Sequence, residues 1–275
     1  MGPQAPQQAP KLPIPGVENI IAVGSGKGGV GKSTIAVNLA ITLGKLGYKV
    51  GLLDADVYGP NVPLMMGMHD TPQAVNQRIM PLKAHGICFM SMALLNPGDK
   101  PLVWRGPMLN SVIQQFLRGV EWGTLNYLII DLPPGTGDVQ LTLIQTTPLT
   151  GAVVVTTPSD VSMEDARKAV NMFEQVREPV LGIVENMSYL EHNGEKIYVF
   201  GKGGGAETAR LMRIPLLAEI PLDPETRAGG DSGRPIATAG EGNAQAALFE
   251  KLAKKIIERA EAEKSRDRPT ITIAD

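Results

Sequence analysis

Short apolar runs alternate along this chain with longer segments in which apolar residues recur every three or four positions. Runs of about four or five apolar residues predict strands that are buried on both faces, as in a parallel sheet. The periodic segments predict helices. The predicted strands are 20–23, 49–53, 79–82, 87–90, 127–131, 152–156, 180–184 and 216–220, and the predicted helices are 32–46, 108–117, 139–146, 163–176, 206–212 and 243–263. This alternation predicts an α/β fold: a doubly wound, mostly parallel sheet with helices on both faces.

Composition sets the boundaries of the folded part. Residues 1–16 are rich in proline and glutamine, which predicts a disordered tail. No internal repeat and no Gly/Ser-rich linker divides residues 17–264, so we interpret them as a single domain, followed by a charged C-terminal tail, 265–275. The last predicted helix is amphipathic. We expect its apolar stripe to dock on the body of the protein, with membrane targeting as the alternative.

Charge and composition disfavour several classes of function. The net charge is −2 and aromatic residues make up 4% of the chain, so neither a basic surface nor a base-stacking platform is indicated. No apolar run reaches the roughly 18 residues of a membrane span. The N-terminus has no apolar core of the kind found in signal peptides. A single cysteine, Cys88, excludes an intrachain disulfide. These features predict a cytoplasmic protein with no nucleic-acid partner and no membrane partner.

Residues 26–33 read Gly-Lys-Gly-Gly-Val-Gly-Lys-Ser, between a predicted strand and a predicted helix. This is the pattern and the context of a phosphate-binding loop (P-loop). Glycines let backbone N–H groups curl around phosphates, and the helix N-terminus adds free donors and partial positive charge. A lysine neutralises the outer phosphates, and a serine hydroxyl ligates Mg²⁺. The predicted nucleotide-binding residues are Gly26, Lys27, Gly28, Gly29, Val30, Gly31, Lys32, Ser33 and Thr34.

Lys27 is an unusual second lysine within this loop. Its side chain cannot easily fold back onto the nucleotide of its own loop, but it could reach the nucleotide of a facing subunit, as an arginine finger does. A solvated surface lysine is the alternative.

Three aspartates follow predicted strands at the edge where the P-loop lies. Asp54 and Asp56 close one strand and Asp131 closes another, and ligands of parallel sheets bind at the carboxyl ends of strands. We therefore expect these three carboxylates to point into one crevice with the P-loop and to serve Mg²⁺ and water. Asp138 is interpreted as the N-cap of helix 139–146, and Ser162 as the N-cap of helix 163–176.

Six segments carry a resemblance to a known family. They are Lys-Gly-Gly-Val-Gly-Lys-Ser (27–33), Asp-Ala-Asp-Val-Tyr-Gly-Pro-Asn (54–61), Trp-Arg-Gly-Pro-Met (104–108), Asp-Leu-Pro-Pro-Gly-Thr-Gly-Asp (131–138), Glu-Asn-Met-Ser-Tyr (185–189) and Gly-Gly-Asp-Ser-Gly-Arg-Pro (229–235). The first resembles the deviant Walker A loop of MinD/ParA-like ATPases. Together they resemble the Mrp/ApbC subfamily, ATPases that carry iron–sulfur clusters, over roughly residues 15–260.

The resemblance implies roles for individual residues. Lys27 would act across a homodimer. Asp56 in switch I would position the attacking water, and Asp131 would be the Walker B aspartate, with Pro133–Gly137 as switch II. Asn186 would bind adenine, with a turn-forming asparagine as the alternative. The implied catalytic residues are Lys27, Lys32, Asp56 and Asp131, and the implied Mg²⁺ ligands are Ser33, Asp56 and Asp131. The implied substrate is ATP rather than GTP, with slow hydrolysis and apo iron–sulfur proteins or a cysteine-bearing carrier as partners.

The chain departs from the family where a cluster would be bound. The family usually has Cys-x-x-Cys shortly after Glu-Asn-Met-Ser-Tyr, whereas residues 190–196 here contain no cysteine. A [4Fe–4S] cluster is expected from the family, but its ligands are absent, so no iron–sulfur site is assigned. Cys88 is interpreted as a buried core residue, and His192 as a loop histidine with a substitute ligand as the alternative. We assign nothing to His69 and His85.

Two functions therefore remain open at this point. The first is an ATPase of iron–sulfur assembly or transfer without the usual cysteine ligands. The second is a MinD/ParA-like ATP-dependent dimer switch that positions a protein partner without iron–sulfur chemistry. The Met65-Met66-Met68 group is interpreted as helix packing, with an adaptable partner surface as the alternative.

Overall fold

The computed structural model describes residues 11–56, 59–95 and 111–266. Its strands are β1 Val17–Ser25, β2 Val50–Asp54, β3 Ala74–Val75, β4 Arg78–Ile79, β5 Leu82–Ala84, β6 Ile87–Ser91, β7 Leu125–Asp131, β8 Gly151–Thr156, β9 Val180–His192, β10 Glu195–Ile197 and β11 Leu216–Leu222. Its α-helices include α1 Lys32–Lys45, α2 Val62–Met66, α3 Asp138–Thr146, α4 Asp160–Gln175, α5 Gly204–Met212, α6 Pro224–Asp231 and α7 Ala244–Arg266. Residues 111–114 are also helical and lead into a π-turn, Gln115–Gly119.

The main sheet has the strand order β10-β9-β8-β1-β7-β2-β6-β5, and β11 also pairs with β9. All its pairings are parallel except those of the two edge hairpins, β5–β6 and β9–β10. The central strands are buried on both faces because helices cover both. Helices α1 and α7 cover one face, and α3 and α4 cover the other. The predicted α/β fold with a mostly parallel sheet is confirmed.

The sheet register brings the carboxyl ends of the central strands together. Val23 on β1 lies beside Asp131 on β7, and Asp131 lies beside Asp54 on β2. The loop that follows β1 therefore starts at the same edge as both aspartates. This edge is where the predicted nucleotide site is built.

The N-terminal prediction is wrong for residues 11–16, which contact the body of the protein. Ile14 is buried in the core, Leu12 N donates to Thr146 O at 3.2 Å, and Lys11 forms an ion pair with Glu178. When this segment packs on the domain, Ile14 buries its apolar side chain and Lys11 gains an anionic partner. The proline-rich composition of residues 1–16 gives no sign of these contacts. Residues 1–10 lie outside the described part of the chain.

Several predicted boundaries shift for identifiable reasons. Predicted strand 79–82 is split into β4 and β5, since Pro81 has no N–H for a ladder. Helix α4 begins at Asp160, because Ser159 and not Ser162 is its N-cap: the Ser159 hydroxyl accepts the Ser162 N–H. Helix α3 begins at Asp138 itself, with Gly137 as the N-cap, so the predicted cap is wrong.

The C-terminal boundary shifts slightly, and other predicted segments lie wholly or partly outside the described residues. Helix α7 continues to Arg266, so the first two residues of the predicted charged tail are helical. Residues 267–275, the 104–108 motif and the first residues of predicted helix 108–117 lie outside the described residues. Within the described ranges, no helix combines the length and the apolar character required to cross a bilayer.

Candidate nucleotide-binding site

The P-loop connects β1 directly to α1 and uses glycine where the backbone demands it. Gly29 and Gly31 have φ of +78° and +85°, in the left-handed region that favours glycine. A Cβ on Gly26 would lie 2.0 Å from Asp165 O on α4, so only glycine fits there. Helix α1 begins at Lys32, and its first N–H groups are left for a ligand. The loop therefore has the form that the sequence predicts.

Lys32 and Asp131 form a buried ion pair beneath the loop. Lys32 Nζ lies 2.7 Å from Asp131 Oδ1, and their side chains are 6% and 1% exposed. Lys32 Nζ also lies 3.3 Å from Ser33 Oγ. Burial raises the pKa of Asp131 above its ordinary value, and the charge of Lys32 opposes that rise. The three side chains thus bring a cation, a carboxylate and a hydroxyl to one point.

Asp54 lies behind the site and not in it. Its carboxylate is fully buried and accepts hydrogen bonds from Ser91 Oγ at 2.8 Å, Asp56 N at 3.1 Å and Val62 N at 3.3 Å. Burial and the neighbouring charge of Asp131 raise the pKa of Asp54 to about 7. The expectation that Asp54 points into the crevice is wrong: its carboxylate holds backbone groups of the segment that follows it.

A cavity of about 520 Å³ opens above the P-loop. This volume lies within the range of small-molecule and cofactor pockets. Its wall contains P-loop residues, the Asp56 segment, and residues from β9, β11 and α6. The lining residues are Ser25, Lys27, Gly28, Gly29, Gly31, Lys32, Ser33, Thr34, Asp56, Asn61, Leu64, Met65, Pro134, Asn186, Met187, Pro221, Leu222, Asp223, Thr226, Arg227, Gly230 and Asp231.

Asp56 and Lys27 both reach this wall from different sides. Asp56 is 8% exposed, and its Oδ1 accepts the N–H of Gly59 at 3.2 Å. Lys27 is half-buried beside the exposed Gly28 and Gly29. Asp131 is not on the wall; it lies directly behind Lys32.

The loop that follows Asp131 is tied to the P-loop. Gly135 N donates to Ser25 O at 3.0 Å, and the side-chain amide of Gln140 donates to Pro133 O. The predicted switch II segment, Pro133–Gly137, therefore contacts the start of the phosphate-binding loop. A displacement of either loop would therefore displace the other through these hydrogen bonds.

Asn186 supports the P-loop from β9, two strands away from β1. Its Nδ2 donates to Val30 O at 2.9 Å, and a Cβ on Gly31 would lie 2.1 Å from that nitrogen. Asn186 lies within β9, which continues to His192, and so does not follow the strand as the sequence suggested. The turn-forming alternative is therefore wrong. Asn186 also lines the cavity, where its amide can meet a ligand.

Sequence reasoning missed the wall formed by β11 and α6. Asp223 caps α6, accepting from Thr226 N at 2.8 Å and from Thr226 Oγ1 at 2.6 Å. Leu222, Arg227 and Asp231 complete this side. The available signal was the Asp-Pro-x-Thr pattern directly after an apolar run, which is typical of a helix that begins at the end of a strand.

The methionine group is part of the protein interior. Met65 and Met66 are 8% and 2% exposed and belong to the core, while Met68 packs against it. Packing is therefore the better interpretation of these residues, with Met65 also on the cavity wall. His85, to which the sequence assigned nothing, lies with its Nε2 3.1 Å from Gly233 O.

The side chains considered for a cluster lie far apart. Cys88 on β6 packs against the core as predicted, although it is only partly buried, and burial raises the pKa of its thiol to about 11. His192 ends β9 in an exposed hairpin with β10, and not in an irregular loop. Four strands separate β6 from β9, so about 24 Å lies between them. Among residues 11–56, 59–95 and 111–266, no group of three or more His, Cys, Asp or Glu side chains could hold a metal ion by itself.

Comparisons with known proteins agree with this geometry. Residues 16–257 match a ParA family profile described as NUBPL iron-transfer P-loop NTPase. An iron–sulfur cluster carrier protein of Aquifex aeolicus is 50% identical over 254 residues, covering 90% of this chain and 70% of that protein. Three such bacterial carrier proteins, 50–54% identical to this chain, are matched over 65–70% of their own lengths.

Solved structures show the same fold. A nucleotide-binding protein of Archaeoglobus fulgidus, in complex with ADP, superimposes with a TM-score of 0.72 at 40% identity, covering 82% of this chain and 90% of that one. The cell division ATPase MinD of Pyrococcus furiosus superimposes with a TM-score of 0.65 at 25% identity, covering 87% and 98%. The predicted MinD/ParA-like fold is confirmed, and the higher identities are to iron–sulfur carriers.

Proposed function

Because this chain belongs to the NUBPL-type family of iron-transfer P-loop NTPases, we propose that it is a Mg²⁺-dependent ATPase acting in iron–sulfur cluster assembly or transfer. The observation that supports this most strongly is the buried Lys32–Asp131 pair under the P-loop, at the floor of a nucleotide-sized cavity. In P-loop NTPases the loop lysine binds the β- and γ-phosphates, and an aspartate at the end of a neighbouring strand holds Mg²⁺ beside them.

Lys32 is the group that exchanges partners when a nucleotide binds. Lys32 lines the cavity while its Nζ contacts Asp131, so a rotation of its side chain would carry the ammonium to the outer phosphates. The P-loop N–H groups and the start of α1 receive the remaining phosphate charge. Asp131 then loses its counter-ion. The oxygen donors of Ser33, Asp131 and Asp56 fit a hard divalent cation, and Mg²⁺ held there would supply charge neutralisation at the phosphates.

Asp56 is the candidate for orienting the attacking water. It lies on the cavity wall with its carboxylate already held by the Gly59 N–H, so its position is fixed before a ligand enters. A pre-positioned carboxylate can accept a hydrogen bond from water without further reorganisation. We therefore assign Asp56 to water positioning and Lys32 to transition-state charge.

Lys27 gives the reason to propose a homodimer. It lines the cavity, is only half-buried and lies next to two exposed glycines, so a facing subunit could approach it. A lysine that enters a partner's site adds positive charge where charge develops during phosphoryl transfer. The proposed enzyme is thus active as a dimer, and slow because two copies must meet.

The preference for adenine rests on Asn186 and the β11–α6 wall. One amide proton of Asn186 is committed to Val30 O, which fixes the orientation of the amide toward the cavity. A fixed amide can read the donor and acceptor edge of a base. We propose that the adenine end of ATP lies between Asn186 and the wall formed by Leu222 and Thr226.

Calorimetry with Mg²⁺ and ATP, and with GTP, tests the nucleotide assignment. ATP should bind with measurable heat and Lys32→Ala should abolish it, whereas Lys264→Ala, an exposed lysine on α7, should bind as the wild type does. Undiminished ATP affinity in Lys32→Ala would show that the cavity is not a phosphate site.

The cluster is the cargo of this system, and this chain lacks the thiolates to hold it. A [4Fe–4S] cluster is normally held by four cysteines, and a dimer of this chain contains only two copies of Cys88. The iron–sulfur role would therefore run through a cysteine-bearing partner. Anaerobic reconstitution followed by iron counting tests this. A stoichiometric cluster that survives Cys88→Ser would contradict the proposal, and so would one lost in both Cys88→Ser and His192→Ala.

A further inference from the structure

The Gly-Gly-Asp-Ser-Gly-Arg-Pro segment at 229–235 has no part in the chemistry assigned above, yet it folds back against the site. It forms a tight return at the end of α6, in which Arg234 N donates to Gly229 O at 2.8 Å. A Cβ on Gly229 would lie 2.4 Å from Arg234 O, so glycine is needed to close the return. The return directs Gly233 toward α2.

Gly233 and Gly67 touch through their backbones. They have φ of +70° and +64°, and a Cβ on Gly233 would lie 2.4 Å from Gly67 Cα. A Cβ on Gly67 would lie 3.1 Å from Gly233 O. Nearby, the methyl group of Met65 on α2 packs on Gly230 of α6. The end of α2 is therefore in direct contact with the end of α6.

The carboxylate of Asp54 links the start of α2 to Asp56. Asp54 accepts the N–H of Val62, the first residue of α2, through Oδ2, and the N–H of Asp56 through Oδ1. Ser91 Oγ holds the same carboxylate at 2.8 Å. A displacement of α2 would therefore be transmitted to Asp56 through these two hydrogen bonds.

Both helices face the same cavity. Helix α6 contributes Thr226 and Gly230 to its wall, and α2 contributes Leu64 and Met65. From this continuous set of contacts we infer that Gly67 and Gly233 are positioning residues: their contact makes the α6 wall, α2 and Asp56 move as one unit, so the nucleoside part of a nucleotide on that wall places Asp56 beside the phosphate part. This inference rests on the proposed nucleotide site.

Hydrogen exchange of the α2 amides tests the coupling. The amides to follow are Val62, which donates to Asp54, and Met65, Gly67 and Met68, which donate within α2 and its end. In the wild type, Mg²⁺ and ATP should slow exchange in both the P-loop and α2. Inorganic tripolyphosphate with Mg²⁺ should slow exchange in the P-loop but protect α2 much less than ATP does, because it has no nucleoside part to occupy the α6 wall.

Two variants disrupt the contact to different degrees, and one variant is the control. Gly233→Ala places a methyl group into Gly67, and Gly67→Ala makes a milder contact that requires only a small shift. Gly242→Ala has the same positive-φ strain, with φ of +90°, but nothing within 4 Å of the new Cβ. The control separates backbone strain from loss of the contact.

We expect the two contact variants to keep the protection of the P-loop by ATP and to lose the protection of α2. In Gly233→Ala, ATP should still protect the P-loop, while the ATP-dependent protection of α2 falls about tenfold and kcat falls with little change in KM. Gly67→Ala should show a smaller loss of the same kind, and it carries the test if Gly233→Ala does not fold. Gly242→Ala should match the wild type in both readouts.

Two results would overturn the inference in distinguishable ways. If ATP fails to protect the wild-type P-loop, the proposed nucleotide site is wrong and the coupling falls with it. If ATP protects the P-loop but wild-type α2 is unaffected, or if α2 protection persists in Gly67→Ala and in any folded Gly233→Ala, the nucleotide site stands and the coupling is wrong.

Discussion

Replacing Lys32 by methionine should destabilise the nucleotide-free protein strongly. Methionine keeps the length of the side chain but leaves the carboxylate of Asp131, which is 1% exposed, without a cation. Removing one partner of a buried ion pair typically costs about 3–5 kcal/mol, because the remaining charge stays buried. The free energy of unfolding should fall by about this amount at pH 8.

The two members of the Lys32–Asp131 pair differ in how easily they can reach water, so their substitutions should differ in cost. Lys32 lines the cavity, so its long side chain can turn toward water, whereas the short side chain of Asp131 on a central strand cannot. Asp131→Asn should therefore cost less than Lys32→Met, and the double variant should recover most of the loss. The loss in Lys32→Met should also shrink as pH falls, because burial raises the pKa of Asp131 and removing the opposing charge of Lys32 raises it further, so that Asp131 binds a proton more readily in the folded variant.

The assay is urea unfolding without nucleotide and with a metal chelator, at pH 6 and pH 8. Lys168→Met is a matched control, since it breaks an ion pair of 3.0 Å in which Lys168 is 65% exposed, and such pairs contribute at most about 1 kcal/mol. Equal stability losses in Lys32→Met and Lys168→Met would refute the reasoning. Loss of ATP binding in a Lys32 variant should be interpreted only where that variant is shown to be folded.

Three further predictions concern the remaining site residues. Lys27→Ala should keep ATP binding but reduce hydrolysis, and mixing it with Asp56→Ala chains should restore part of the activity; no recovery in confirmed mixed dimers would indicate action within one chain. Asn186→Ala should weaken ATP binding by roughly tenfold, with a smaller effect on tripolyphosphate, as measured by calorimetry, because both the base contact and the support of Val30 are lost. The nucleotide-free wild type should lose about 1 kcal/mol of stability from pH 6 to pH 8, because Asp54, with a folded pKa of about 7, must ionise while buried, whereas the unfolded chain is ionised throughout. Asp54→Asn should remove most of this slope in urea titrations, and an unchanged slope would show that another group titrates.

The local pattern was enough to predict the elements that form the floor of the site. A buried strand, a glycine-rich loop with lysine and serine, and a periodic helix specify the P-loop because each depends on residues adjacent in the chain. Asp131 could be predicted in the same way, since an aspartate after an apolar strand lies at the ligand edge of any parallel sheet. Boundaries set by a single residue were less predictable. The hydroxyls of Ser159 and Ser162 compete for one cap, and only their geometry shows which is used.

Only the tertiary structure decided which distant segments of the chain meet at the site. By the strand pattern alone, Asp54 and Asp56 are equivalent carboxylates; the fold buries the carboxylate of Asp54 against Ser91 and Val62 and brings Asp56 to the cavity. The β11–α6 wall and the contact between Gly67 and Gly233 join positions more than about a hundred residues apart, and such pairings depend on sheet order and helix packing. The sequence shows one cysteine, Cys88, and one candidate substitute ligand, His192, but only the order of strands shows that they lie toward opposite edges of the sheet. The chemistry of the loop is local in the chain, whereas its partners are selected by long-range packing.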